Sequence, residues 1–581
     1  MADEGEKQAA TSIFPNRMVY ILALVFVVIG IVNSTPVIPG WDAMWQKITG
    51  IEKLKTRAFA TEWFYPLIFF IMMLLVALNH SIWRAWQGRS YAWFGAFMDA
   101  ALIISAAAIS LTYLIEIDSV CLIDSLNGER ARIMAETLKA EIAFAETMGL
   151  PAPDTVEDPK CVSTTGVWLV LIMGLSIVVF LGYNIKVWGL PLVLVAIGVA
   201  AYTIGTVFVW YFHGPDDINK YFMTKMGGEP RQFIDGVPNV HDALVNTASG
   251  ILGRFMNVIM NMVFPYIILG ALFGKSAGGK TLIKLAFRWT RKLRGGPAHA
   301  AIVSSAMFGT ISGGPVVNVL STGVLTIPMM VKRGFSKVFA GGMEAAASSG
   351  GSIMPPVMGV AAFVLAAMTG VPYRDVIIAA TLPAIAYFLC LFLSASFQSR
   401  KQGIEAFGEL TDDMRISGED ILHLCQILLP ILLILIFLLT PKDLVGCGAF
   451  GWVFGAEVLT TGSGCKVVSL PWVLQIFQNA AGDAGATGWW AALFVTVLLF
   501  LDKDFRKSPR KLVYALAEAG ITVSTLYLML LAVTVIDVCL NFTGVAKFVA
   551  IDVLQFLRAL DIGGGGSTIF QLVALTITML L

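Results

Sequence analysis

The feature that most restricts this chain is a series of about a dozen apolar stretches, each roughly 15 to 33 residues long. An α-helix needs about 20 such residues to cross ~30 Å of hydrocarbon, and only helices or closed barrels satisfy their backbone groups there. Strand-length alternation is absent, so the pattern predicts an all-α polytopic membrane protein. The candidate spans are Met18–Asn33, Trp63–Asn79, Ala92–Ile115, Gly166–Tyr183, Val187–Phe212, His241–Phe273, Val338–Gly370, Val376–Phe397, Ile421–Thr440, Gly488–Leu501 and Leu512–Leu540. Composition agrees. Of 581 residues 57% are hydrophobic and only 14% charged, where a soluble domain is about a quarter charged. A formal net charge of +1 gives no field for nucleic acid. Asp3, Glu4, Glu6 and Lys7 precede the first run, which lacks a small-residue cleavage site and reads as a retained helix rather than a signal peptide.

Orientation follows from the basic segment Lys275, Lys280, Lys284, Arg288, Arg291, Lys292 and Arg294, which holds no acid and marks the cytoplasmic side. Counting from it places residues 116–165 and 441–487 outside. Each of these loops holds a cysteine pair, Cys121 with Cys161 and Cys447 with Cys465, as disulfide candidates, while Cys390, Cys425 and Cys539 lie in apolar runs. Residues 34–62 dissent, because a loop counted as external carries Lys47, Lys53, Lys55 and Arg57. The first outer loop places Glu129, Glu136, Glu141 and Glu146 at helical spacing before Pro151, Pro153 and Pro159. It reads as a solvated amphipathic helix, or alternatively as a docking surface for an external partner, at a boundary between two membrane parts.

Two segments break their own helices. Residues 296–332 are almost uncharged yet basic at both flanks, with Gly309-Thr310-Ile311-Ser312-Gly313-Gly314-Pro315 in the middle, followed by Asn318, Ser321, Thr322 and Gly323. Both ends then face the cytoplasm, which predicts a re-entrant helical hairpin. The next span runs from Glu344 through Ser348-Ser349-Gly350-Gly351-Ser352 into Pro355-Pro356, the pattern of a discontinuous helix. Unwound carbonyls and half-helix ends at membrane depth suit Na⁺ or a substrate carboxylate; small residues for close helix packing are the plainer reading. Thr322, Glu344, Ser352, Pro355 and Pro356 are assigned to the substrate pathway. Glu344, an ionisable group in an apolar segment, is the sharpest of these, whereas Asp99 and Asp537 lack a polar break around them.

Other motifs carry less. Gly274–Thr281 satisfies the phosphate-loop pattern but follows a membrane span instead of a buried strand. It precedes a basic amphipathic stretch, Leu282–Leu293, suited to a membrane surface. His80, His213, His241, His299 and His423 are too scattered for zinc, and no nucleophile–base constellation argues for an enzyme.

The run Phe308–Gly323, with Ile327-Pro328-Met329-Met330 and Glu344–Pro356, resembles the fused permease of TRAP transporters, most closely the class paired with TAXI-type solute receptors. The likeness is dense from Pro297 to Tyr373, weaker toward the end, and architectural before Gly166. It implies an inverted-repeat, elevator-type transporter of the bacterial inner membrane, importing organic anions such as carboxylates with Na⁺ as coupling ion. An extracytoplasmic TAXI-type solute-binding protein would deliver the substrate. By the same resemblance residues 1–165 correspond to the small scaffold subunit and 166–581 to the large transport subunit. Ser312, Gly313, Gly314 and Asn318 with Ser348, Ser349, Gly350 and Gly351 would supply ion ligands, hard oxygen donors that fit a small hard cation. Glu344 leaves H⁺ open as the coupling ion. The family pattern Ser-Gly-Ser-Ala is here Ser312-Gly313-Gly314-Pro315, which removes one hydroxyl for which a backbone carbonyl can substitute. Gly563–Gly566 and Ser567–Leu581 would be the entry and first arm of the family's second hairpin. The expectation is therefore a fragment that does not transport alone, with a non-transporting membrane scaffold or assembly subunit as the alternative function.

Overall fold

The computed structural model describes residues 17–50, 56–120, 138–139, 142–143, 167–213, 221, 251–276, 278–406, 416–447, 449–461 and 464–559. Cys121, Cys161, most of the acidic outer loop and residues 560–581 lie outside these. In chain order the principal helices begin with α1 Arg17–Ser34, α2 Trp41–Thr49, α3 Thr61–Asn79, α4 Ala92–Val120, α5 Val167–Val187 and α6 Leu190–His213. There follow α7 Arg254–Gly274, α8 Gly278–Thr290, α9 Gly296–Ser312, α10 Pro315–Lys332, α11 Lys337–Gly350, α12 Val360–Thr369 and α13 Tyr373–Lys401. The last are α14 Gly418–Leu439, α15 Trp472–Ala480, α16 Ala484–Leu499, α17 Arg510–Thr543 and α18 Val545–Ala559. Among the described residues nine helices are long and apolar enough to cross a membrane. The architecture read from hydropathy is thus the one present.

One feature departs from the hydropathy reading. Strands β1 Glu457–Thr461 and β2 Gly464–Ser469 form an antiparallel ribbon, with Thr460 opposite Cys465 and Thr461 opposite Gly464. Val458, Thr460, Thr461, Val467 and Val468 carry the β-branched preference that builds it. At five and six residues the strands are shorter than any window that finds a membrane span.

The chain packs as two compact units. One is formed by Met1–Phe64 with Arg254–Ser524, the other by Tyr65–Gly253 with Thr525–Leu581. In the second unit Asp99 has a structural task. Its carboxylate accepts from the Ser81 hydroxyl at 2.6 Å, the Ile82 and Trp83 amides at 2.9 and 3.2 Å, and the Tyr183 hydroxyl at 3.0 Å, holding the turn after α3 against α4 and α5.

In the first unit the core joins α9, α10, α11 and α13 through Ala298, Ala301, Ala340, Ala347 and Ala395 with Ile302, Met330 and Met343. Alanine at these contacts lets helices approach closely where lipid provides no hydrophobic drive. The 34–62 loop joins the 441–487 loop, since Trp472 Nε1 donates to the Pro39 carbonyl at 3.3 Å and Asn479 Nδ2 to Val37 at 3.4 Å. Its dissenting charge is partly spent within the loop. Thr56 and Arg57 both reach Asp42, and they hold that carboxyl below the usual carboxylate range, the Thr56 hydrogen bond being the larger cause. Cys447, in the same loop region, is disulfide-bonded, whereas Cys390, Cys425 and Cys539 are free; the Cys465 side chain lies outside those described.

At the opposite end α8 is tied to the start of α14. Asp420 accepts from Lys284 at 3.0 Å and Thr281 at 3.2 Å, and it closes a capping box with Ser417. These contacts also explain the phosphate-loop-like run. Thr281 serves Asp420, Lys275 pairs with Glu518 at 2.8 Å, and a Cβ at Gly278 would sit 2.2 Å from the Ile427 side chain. Asp420→Ala removes a cap and a nearly buried charge partner, so it should cost about 1–3 kcal/mol. Lys284→Ala should cost under about 1 kcal/mol, because that lysine is partly exposed. Thermal unfolding in detergent, read by intrinsic fluorescence, checks that order.

Candidate functional site

The two broken segments meet inside the first unit. Helix α9 ends at Ser312, and Gly313 takes φ 57° while its N–H donates to the Gly309 carbonyl at 3.2 Å. A Cβ on Gly313 would lie 2.0 Å from the Met358 carbonyl oxygen, so this turn admits only glycine. Gly314 is extended, and Pro315 starts α10 at the position where a missing N–H costs nothing. The arms fold back on each other: Asn318 Nδ2 of α10 donates to the Ser305 carbonyl of α9 at 2.9 Å. Residues Val319–Gly323 are π-helical, a widening often found at functional positions.

Helix α11 stops at Gly350, and a 3₁₀ turn, Gly351–Ile353, leads to the cis Pro355–Pro356 bond and to Met358 at φ 57°. The chain resumes as α12. The break is braced by Tyr373, whose hydroxyl donates to the Pro356 carbonyl at 3.1 Å, and by Gly359, whose N–H donates to Ser352 at 2.7 Å. Tyr387 secures the end of α11 by donating to the Ala346 carbonyl at 2.9 Å.

Backbone meets backbone where α9 crosses this break. A Cβ at Gly309 would stand 2.3 Å from Gly351 Cα, and one at Gly351 would stand 2.7 Å from Asn318 Nδ2. That contact brings the C-terminal ends of α9 and α11 together, and their partial negative charge favours a cation.

Next to this crossing, Glu344 has no exposed surface, and its partners are hydroxyls. Oε1 faces Thr322 Oγ1 closely, with Ser305 Oγ at 3.2 Å and Ser348 Oγ at 3.4 Å; Oε2 accepts from Thr326 Oγ1 at 2.5 Å. Ser305, Asn318, Thr322, Thr326 and Ser348 are all at most 1% exposed. Six oxygens from three helices, α9, α10 and α11, therefore share one buried volume. Each hydroxyl has one proton to donate, and Thr322 and Thr326 also reach the Asn318 and Thr322 carbonyls at 2.9 and 3.0 Å, so Glu344 shares these donors with the helix backbone.

Of the residues singled out in the sequence, the structure gathers Asn318, Thr322, Glu344, Ser348 and Gly351. It places Gly313 against Met358 and buries Gly350 under the Tyr387 ring, while Gly314 links the two arms. Ser349 and Ser352 are turned to their own backbone, bonding the Ala345 and Ser349 carbonyls at 2.8 and 2.7 Å. The Ser312 side chain lies outside those described. Ser305 and Thr326 were missed. Thr326 had a signal, since Asn318, Thr322 and Thr326 repeat every fourth residue and so share one helix face; Ser305 had none beyond a hydroxyl in an apolar arm.

Spanning helices, two broken segments and a buried oxygen cluster define a polytopic membrane protein of the transporter permease class. The profile of the tripartite ATP-independent periplasmic transporter, DctM component, matches residues 188–581, more than half the chain. The chain belongs to that family, whose members are multi-pass inner-membrane permeases and not enzymes.

Among its relatives, the C4-dicarboxylate TRAP transporter large permease protein DctM of Vibrio cholerae is 28% identical over 159 residues, 27% of this chain and 35% of that protein. The isethionate TRAP transporter permease protein DctMQ of Oleidesulfovibrio alaskensis is 31% identical over 153 residues, 26% and 23% of the two chains. An uncharacterized protein of Sinorhizobium fredii, y4mL, is 28% identical over 186 residues, 31% and 44%. The chain thus matches less than half the length of each of these three relatives.

Two substitutions test the geometry. Thr326→Val keeps the side-chain shape but removes a donor to Glu344, and should lower stability by about 1.5–3 kcal/mol, with Thr326→Ser near wild type. Gly309→Val forces the crossing apart and should cost about 1–3 kcal/mol. Thermal unfolding of the purified variants reads both; a Thr326→Val protein as stable as wild type would mean the bond to Glu344 is not made.

Proposed function

We propose that this chain is the permease of a receptor-dependent secondary transporter that imports organic anions such as carboxylates, coupled to Na⁺. The observation that carries the reading is the six-oxygen cluster around Glu344, built where two broken helices cross. A carboxylate with hydroxyl oxygens is a hard donor set suited to a small hard cation. Ser305, Asn318, Thr322, Thr326, Glu344 and Ser348 bind the ion in this reading, and the glycine crossing brings two helix ends to it. Gly309 and Gly351 position those groups.

The transported solute is a small organic acid of the kind named for the relatives, a dicarboxylate or a sulfonate. Its selection falls to a separate solute-binding protein of the TAXI type docking on the outer face. Residues 1–165 serve as the fused counterpart of the small subunit, and residues 166–581 as the large transport subunit of an elevator-type transporter.

The test is hydrogen exchange of the purified chain in nanodiscs, in sodium chloride against choline chloride. Na⁺ should protect peptides covering 305–326 and 344–352 and leave α4 and α5 unchanged, and Glu344→Gln should abolish the difference. Equal exchange in the two salts would sink the Na⁺ assignment and favour a scaffold role.

A further inference from the structure

Within the first unit, between α14, α15 and α16, lies a cavity of about 530 Å³. Leu429, Leu433 and Phe437 line it from α14 at every fourth position, and Trp490 and Phe494 face them from α16. Phe477 of α15 adds a third wall, its ring edge-on to Phe437 at 4.8 Å. Apart from the indole of Trp490, the lining side chains carry no polar atom.

The volume falls in the ~300–1,000 Å³ range of ligand sites and far above the ~30 Å³ share of one water. Water would find none of the two to four polar partners it needs there. Left empty, the walls would lose their dispersion contacts on one side.

Position decides what fills it. The start of α14 is tied to the basic helix α8 through Asp420, while its other end runs toward the loop that holds the oxidised Cys447. The lining part of α14 therefore belongs to the outer half of the membrane. From Leu429 to Phe437 the stripe is about 12 Å long, close to the ~15 Å depth of one leaflet's hydrocarbon. Its mouth is continuous with the lipid-facing surface of the same helices, where Leu428 is 45% and Leu493 58% exposed. A membrane protein's apolar cavity that opens onto its lipid surface has one neighbour of matching chemistry always present.

We propose that this cavity is a binding site for an acyl chain of an outer-leaflet phospholipid. The chain lies along α14 and α16, restores the missing dispersion contacts, and leaves its headgroup at the level of α15, whose Trp472 is exposed. The site is independent of the Glu344 cluster and of what the permease carries.

The experiment uses the whole chain in phosphatidylethanolamine and phosphatidylglycerol vesicles doped with a phosphatidylcholine bearing a photoactivatable diazirine on its acyl chain. A parallel sample carries the free fatty acid with the same group, and adducts are mapped by peptide mass spectrometry. Adducts should concentrate on residues 429–437 and 490–497 over the exposed face of α13, which serves as the background of ordinary lipid contact. Leu433→Trp and Val497→Trp, which fill the cavity from opposite walls, should each reduce those adducts to that background while α13 labelling stays constant. Four results would overturn the proposal: adduct density equal to that on α13, labelling unchanged in either correctly folded variant, capture of the free acid but not of the phospholipid, or cross-links showing that a second protein segment occupies the groove.

Discussion

A carboxyl group buried among hydroxyls is the constraint on which the centre of this structure depends. Glu344 lies on α11 with no exposed surface, so its oxygens must be satisfied by what surrounds them. Four hydroxyls do this, and they come from α9, α10 and α11 itself. A set drawn from three helices forces those helices into contact at one depth. The alanine-rich core and the π-helical widening of α10 are the means by which the contact is made.

The breaks follow from the same demand. Two continuous helices crossing at normal separation would keep their axes about 8–10 Å apart, with side chains between their backbones. Here Gly309 and Gly351 let backbones touch, and the adjoining turns at Gly313 and Met358 pack against each other. Non-helical backbone at membrane depth is tolerated only when protein buries it or a cavity uses it. Tyr373 and Tyr387 pack over the break, donating to the Pro356 and Ala346 carbonyls.

Much of this was legible in the sequence, because membrane spans and helix breaks are written in local composition. The hairpin tip and the discontinuous helix fall where glycine, proline and serine interrupt apolar runs, and Glu344 stood out as an ionisable group among alanines. What was not legible is what depends on contacts between distant segments. Ser305 becomes a partner of Glu344 only once α9 folds against α11, and Thr326 matters because a four-residue repeat points it at another helix. Asp99 shows the converse, a membrane-depth acid whose environment makes it a brace for a turn. The outer ribbon escaped notice because its strands are too short to register against long apolar windows. The phosphate-loop pattern shows that a motif without its strand context describes packing glycines and a helix start.

The proposed function rests on one claim, that Glu344 and its hydroxyls hold the coupling ion. The most direct measurement is equilibrium binding of radioactive Na⁺ to the purified chain by scintillation proximity, comparing wild type, Glu344→Gln and Ser349→Ala. Saturable binding in wild type and Ser349→Ala, lost in Glu344→Gln, is the predicted result. Equal binding in all three proteins would contradict the account and place the ion elsewhere.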